Sequence, residues 1–278
     1  MNAVLSAILL SLVAGLGTAV GGLLAVVRRP GRRQFGFLMG MTSGVMITLA
    51  FLELVNEAWK QQGYITATIG FGAGAICMFL IDILIPHVRF GEDEASTPDH
   101  PRRQMMVAFS HPGRHADRGR LRRHDPPLDQ NLLKSGILIA IGITIHNFPE
   151  GIAVGAGYMH SPQFGIFIAL AIMLHNIPEG IATALPLCKS GLSRWKSFKV
   201  AFFSGLVEPV GALVAALFLV NFQVLIPGAL AFAGGVMVFI TLDELIPAAR
   251  EHGHQHFTAM GIISGAIFIF LLSGMLGV

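Results

Sequence analysis

One short segment occurs twice in the 278-residue chain: His146-Asn147-Phe148-Pro149-Glu150-Gly151-Ile152-Ala153 and His175-Asn176-Ile177-Pro178-Glu179-Gly180-Ile181-Ala182. Each copy interrupts an apolar run, so an imidazole, an amide and a carboxylate stand where hydrocarbon would exclude them. A charged residue near the centre of a membrane helix costs roughly 2.5–3.5 kcal/mol on insertion scales. Two copies therefore need a ligand, or a close mutual arrangement, to offset that cost. Helical residues four apart share a face, so His146 converges with Glu150 and His175 with Glu179. Asn147 and Asn176 stand about 100° round from their histidines. Imidazole suits zinc, copper, iron and nickel, while carboxylate and amide oxygens extend the choice toward manganese. The pattern predicts a site for a divalent first-row metal, with no thiolate to hold it permanently.

Pro149 and Pro178 lack an N–H, which frees the carbonyls of Ile145 and Leu174 and predicts a bend beside the polar residues. Irregular backbone at membrane depth is tolerated when buried in protein or lining a watery cavity. Gly151 and Gly180 then admit a neighbouring helix. Interrupted hydrophobic segments in corresponding positions are also the sequence pointer to a transporter's midplane site. A third carboxylate, Glu208, directly precedes Pro209 in a later apolar run, and Met46 offers a thioether, although a single methionine is more often packing. A pair of polar, kinked helices that only hydrogen-bond to each other is the plainer alternative. It requires neither a glutamate four residues after each histidine nor Glu208. An intramembrane metal-dependent hydrolase would need the glutamate beside the first histidine that activates water in HExxH, and Asn147 and Asn176 occupy that place. Glu208 is the one substitute base available to such an enzyme, and a metal-selective channel lined by the same donors is the other rival. Asp82, Asp243 and Glu244 fit a solvated helix end and a metal exit site equally well. Glu53 and Glu57, at the opposite end, fit solvation or cation attraction, and His160 is given no role.

The elements that must position these residues are membrane helices. The chain is 53% hydrophobic and 13% charged with a mean hydropathy of +0.67, too apolar for an ordinary soluble domain of this length. Apolar stretches able to cross about 30 Å of hydrocarbon fall near 3–27, 36–57, 65–88, 131–157, 163–188, 197–220, 226–249 and 258–277. The expected fold is all-α: a polytopic membrane protein with eight transmembrane helices. The first run carries its positive charges behind it, at Arg28, Arg29, Arg32 and Arg33, and reads as a retained helix entering from outside. Eighteen of the nineteen lysines and arginines then lie in or beside cytoplasmic loops and Lys60 alone lies outside, with both termini outside. The net charge of +3 thus reports orientation and gives no nucleic-acid surface. Residues 89–130, polar and proline-rich with His100, His111, His115 and His124, are expected to form a flexible cytoplasmic loop within a single transporter domain. Those histidines, and His252, His254 and His256 in the last loop, are more often solvated than metal-binding. Cys77 and Cys188 give neither a disulfide framework nor a zinc ribbon.

The paired His-Asn-x-Pro-Glu-Gly motifs, in the fourth and fifth of eight spans, resemble those of the ZIP (Zrt/Irt-like) divalent metal transporters, in particular their bacterial broad-specificity members. The likeness covers nearly the whole chain. It implies a ZIP-like bundle with a two-metal transport site between spans two, four, five and six. One position would use His146, Glu150, His175 and Glu179 with Met46 nearby. The other would use Asn147, Asn176 and Glu208, with the paired glutamates bridging. Some members carry glutamine and aspartate in the fifth-span motif, and His175-Asn176 leaves the second position here less negative. The resemblance also implies uptake of Zn2+, with Fe2+, Mn2+, Co2+ and Cd2+ as further substrates, through the bacterial inner membrane. It implies no cofactor, a homodimer, an inverted repeat relating spans one to three with six to eight, and movement of spans one, four, five and six against the rest.

Overall fold

A computed structural model describes residues 2–28, 30–84 and 128–278. The loop expected over 89–130, with its four histidines, lies outside the described residues except for its last three positions. Every regular element among the described residues is helical: α1 (Ala3–Val27), α2 (Arg32–Thr48), α3 (Asn56–Leu84), α4 (Gln130–His160), α5 (Pro162–Lys189), α6 (Arg194–Gly205), α7 (Glu208–Leu219), α8 (Ile226–Ile240), α9 (Ile246–His252) and α10 (Gln255–Leu276). Wide π turns over Leu49–Val55 and Thr241–Leu245 join α2 to α3 and α8 to α9. Seven helical runs among the described residues are long and apolar enough to cross a bilayer.

One of the seven, Arg32–Leu84, runs for 53 residues. Straight, it would reach about 80 Å at 1.5 Å per residue, against roughly 30 Å of hydrocarbon. Gly63 breaks it, with φ 83° and ψ 175°, a backbone conformation that a side chain would oppose. That break falls in the interval expected between the second and third apolar stretches. The stretch expected over 197–220 is two helices rather than one. Pro209 cannot donate to the turn before it, so α6 ends in tight bonds from Leu206 to Phe203 and from Val207 to Ser204, and α7 restarts at Glu208. By contrast α4 and α5 pass helically through Pro149 and Pro178.

Packing follows membrane rules, with small residues inside and branched ones outside. On α1 the buried positions include Ser6, Ala7, Ser11, Ala14, Gly15, Thr18, Gly21 and Gly22, whereas Leu5, Val13, Leu16, Val20 and Leu23 are exposed. Helix pairing is reciprocal: α1 packs on α5 as α7 packs on α4, and α3 packs on α8 as α10 packs on α2, while α6 packs chiefly on α1. The two π turns occupy matching places, one beyond α2 and the other beyond α8. Two large buried groups, Phe167 of α5 and Met237 of α8, lie in a core that joins α2, α5 and α8 and fixes α5 beside the polar centre.

Candidate metal centre

The twin motifs meet at the centre of the bundle. His146, Asn147, Glu150, His175, Asn176, Glu179, Glu208 and Met46 are all buried, none more than 3% exposed. Across the α4–α5 contact, His175 Nε2 lies 3.1 Å from Glu150 Oε1. One donor atom from each of Glu150, His175 and Glu179 lies within 4.8 Å of the others. The histidine of one copy thus faces the glutamate of the other, a crossing that i,i+4 spacing within each helix does not reveal.

His146 turns instead toward the π turn after α8, where its Nε2 lies 3.1 Å from Glu244 Oε1. For Glu244 and Asp82 this corrects the solvated helix end considered from sequence: they are 6% and 5% exposed, whereas Asp243 is exposed. The three carboxylates have donor atoms within 4.8 Å of one another. Glu244 sits in the π turn Thr241–Leu245, whose extra residue rotates the following side chains away from a 3.6-residue register. A carboxylate inside an apolar run was the available signal; its facing was not.

The two asparagines are held by their amide nitrogens. Asn176 Nδ2 donates to Glu208 Oε1 at 2.5 Å and to the Ala14 carbonyl at 3.1 Å. Asn147 Nδ2 donates to the Ser204 carbonyl at 2.9 Å and its Oγ at 3.3 Å, and Thr144 Oγ1 donates to Ser204 Oγ at 3.1 Å. The break between α6 and α7 makes this possible, since it places Ser204 on the last turn of one helix and Glu208 at the start of the next. Thr42 Oγ1 donates to the His175 carbonyl at 3.2 Å and ties α2 to the motif. Met46 Sδ accepts from Thr241 Oγ1 at 3.7 Å. Nothing in the sequence spacing singled out Ser204, Thr42 or Thr241.

Close helix approach completes the geometry. A Cβ on Gly151 would meet the Glu208 carbonyl, and one on Gly180 would meet that of Thr18. The glycine after each glutamate therefore lets α7 reach α4 and α1 reach α5.

Glu150 Oε2, Asn147 Oδ1, Asn176 Oδ1, Glu179 Oε2 and Glu208 Oε2 are buried with no protein hydrogen-bond donor among the described residues. Each such atom costs roughly 1–3 kcal/mol when nothing opposes it. Three carboxylates with oxygens in this state, beside an imidazole and two amide oxygens, form a donor set that a divalent cation satisfies and a hydrocarbon core does not. Fold and centre together define an integral membrane protein built around a buried cluster of carboxylate, imidazole and amide donors.

Comparison with known proteins agrees. Residues 87–273 match the model of the family described as ZIP Zinc transporter. The chain is 38% identical over 288 residues to Zinc transporter ZupT of Oceanobacillus iheyensis, covering 98% of this chain and all of that protein. It is 40% identical over 273 residues to Zinc transporter ZupT of Lysinibacillus sphaericus, covering 94% of each. A plant protein, Zinc transporter ZTP29 of Arabidopsis thaliana, is 36% identical over 273 residues, covering 95% of this chain and 94% of the relative. The chain belongs to the ZIP zinc transporter family, whose members are transporters and not enzymes.

Proposed function

We propose that this protein is a carrier that moves divalent transition-metal cations, zinc foremost, across a membrane and into the cytoplasm. The observation that carries the reading is the buried grouping of Glu150, His175 and Glu179 from two facing helices. Two ionised carboxylates balance a dication, and a neutral imidazole adds the softer donor that zinc prefers over magnesium or calcium. The names of its relatives, zinc transporters in bacteria and a plant, point the same way. His146 completes this first position, with Met46 nearby. Asn147, Asn176 and Glu208 form the adjacent one, and Glu150 and Glu179 bridge the two. The hydrogen bond from Asn176 Nδ2 to Glu208 Oε1 supports grouping these residues at one position. Fe2+, Mn2+, Co2+ and Cd2+ fit the same donors and are expected to compete.

The length of Arg32–Leu84 and its break at Gly63 support two crossings there, hence eight in all. With the arginine-rich turns inside, both termini lie outside, and the membrane is the bacterial inner membrane. The functional unit is a homodimer.

Uptake into sealed proteoliposomes tests the reading. Zinc flux is expected to saturate and to be lost in Glu150→Ala and Glu179→Ala, with the variants still inserted. Because the ligands bind metal only when deprotonated, uptake should fall as the outer pH drops through the histidine range, roughly 6.5. Linear flux would indicate a channel, and wild-type uptake in both variants would remove those glutamates from the pathway.

A further inference from the structure

Away from the metal centre, a groove of about 510 Å3 opens at the end of the bundle where α1 passes into α2. Leu24 of α1, Ile181 of α5, Leu38 of α2, and Phe257 and Met260 of α10 line it. Its mouth carries Arg28, just beyond α1, and Arg33, in the first turn of α2. Both arginines are exposed, and neither has a carboxylate partner among the described residues. Arg33 is not loose: its guanidinium carbon stands 5.6 Å from the centroid of the Phe257 ring, which holds the charge over the groove wall.

An apolar trough with two unpaired guanidiniums at one end has the shape and charge of a membrane lipid with an acidic headgroup. The acyl chain takes the trough, and the phosphate takes the paired N–H donors that arginine presents in a plane. A zwitterionic lipid fills the same trough but brings a cation to the arginines along with its phosphate. We propose that this groove is a binding site for one anionic phospholipid. Its walls come from helices that pair separately, α1 with α5 and α2 with α10. The bound lipid therefore spans the seam between the two sets.

Native mass spectrometry of the full chain, released from vesicles of equal phosphatidylglycerol and phosphatidylcholine, tests this. Wild type is expected to retain one phosphatidylglycerol with a preference of about 25-fold, from roughly fivefold per arginine near a membrane surface. Arg28→Ala with Arg33→Ala should erase the preference, while Met260→Trp, which fills the trough, should release both lipids. Zinc binding at the central site serves as the folding control for each variant. Equal retention of the two lipids by wild type overturns the proposal, as does a preference that survives loss of both arginines. Displacement by millimolar inorganic phosphate would show an anion site without the lipid. Dissociation of a dimer by Met260→Trp would show a second copy of the chain in the groove instead.

Discussion

The pair His146 and Glu244 shows how a residue outside the repeated motif enters the centre. Its 3.1 Å contact orients an imidazole that stands one turn before Glu150. Partners that orient metal ligands typically set affinity by about 10–100-fold when removed. Glu244→Gln keeps the shape and loses the charge, so zinc titration of the purified protein should show a loss within that range. An unchanged affinity would leave Glu244 outside the site. The donors themselves were readable in the sequence because a carboxylate four residues after a histidine, twice, has no use in plain packing. Their partners were not, because the contact of His175 with Glu150 joins residues of different copies. Glu244 was harder still, since a π turn shifts its register by one residue.

At the scale of the helices, glycine decides how near the backbones come. The carbonyls of Glu208 and Thr18 occupy the space that a side chain at Gly151 or Gly180 would need. Alanine at either position should cost about 1–3 kcal/mol or more by overpacking, read as a lower melting temperature in detergent. Gly72 of α3 has nothing within 4 Å of an added Cβ, so Gly72→Ala is the matched control and should hold its melting temperature. An equal response at all three sites would show that close approach is not what these glycines provide. Sequence reading placed most of the apolar helices by length and hydropathy alone. It missed the division of the stretch over 197–220 because proline has two outcomes: α5 absorbs Pro178, whereas Pro209 ends α6 and starts α7. Which outcome holds depends on tertiary partners, here Ser204 for Asn147 and Glu208 for Asn176.

For the whole molecule, charge placement and helix pairing make independent statements about topology. Lys60 lies beside the Gly63 break, and Arg194 begins α6 after the turn that follows α5. With eight crossings, three separate them, so they face opposite sides. In a background lacking Cys77 and Cys188, Lys60→Cys should react with an impermeant maleimide from outside and Arg194→Cys only after permeabilisation. Labelling of both from one side would refute the arrangement. The pairing of α1 with α5 and of α7 with α4 was invisible in the sequence, because each pair joins segments far apart along the chain. On the proposed function, this architecture brings α4 and α5 together so that their donors face one cation at the centre. The most direct measurement is anomalous scattering at the zinc edge from crystals of the zinc-loaded protein. The account predicts a peak about 2.0–2.2 Å from a ring nitrogen of His175 and from carboxylate oxygens of Glu150 and Glu179. Zinc held elsewhere, with those three side chains touching only each other, would contradict it.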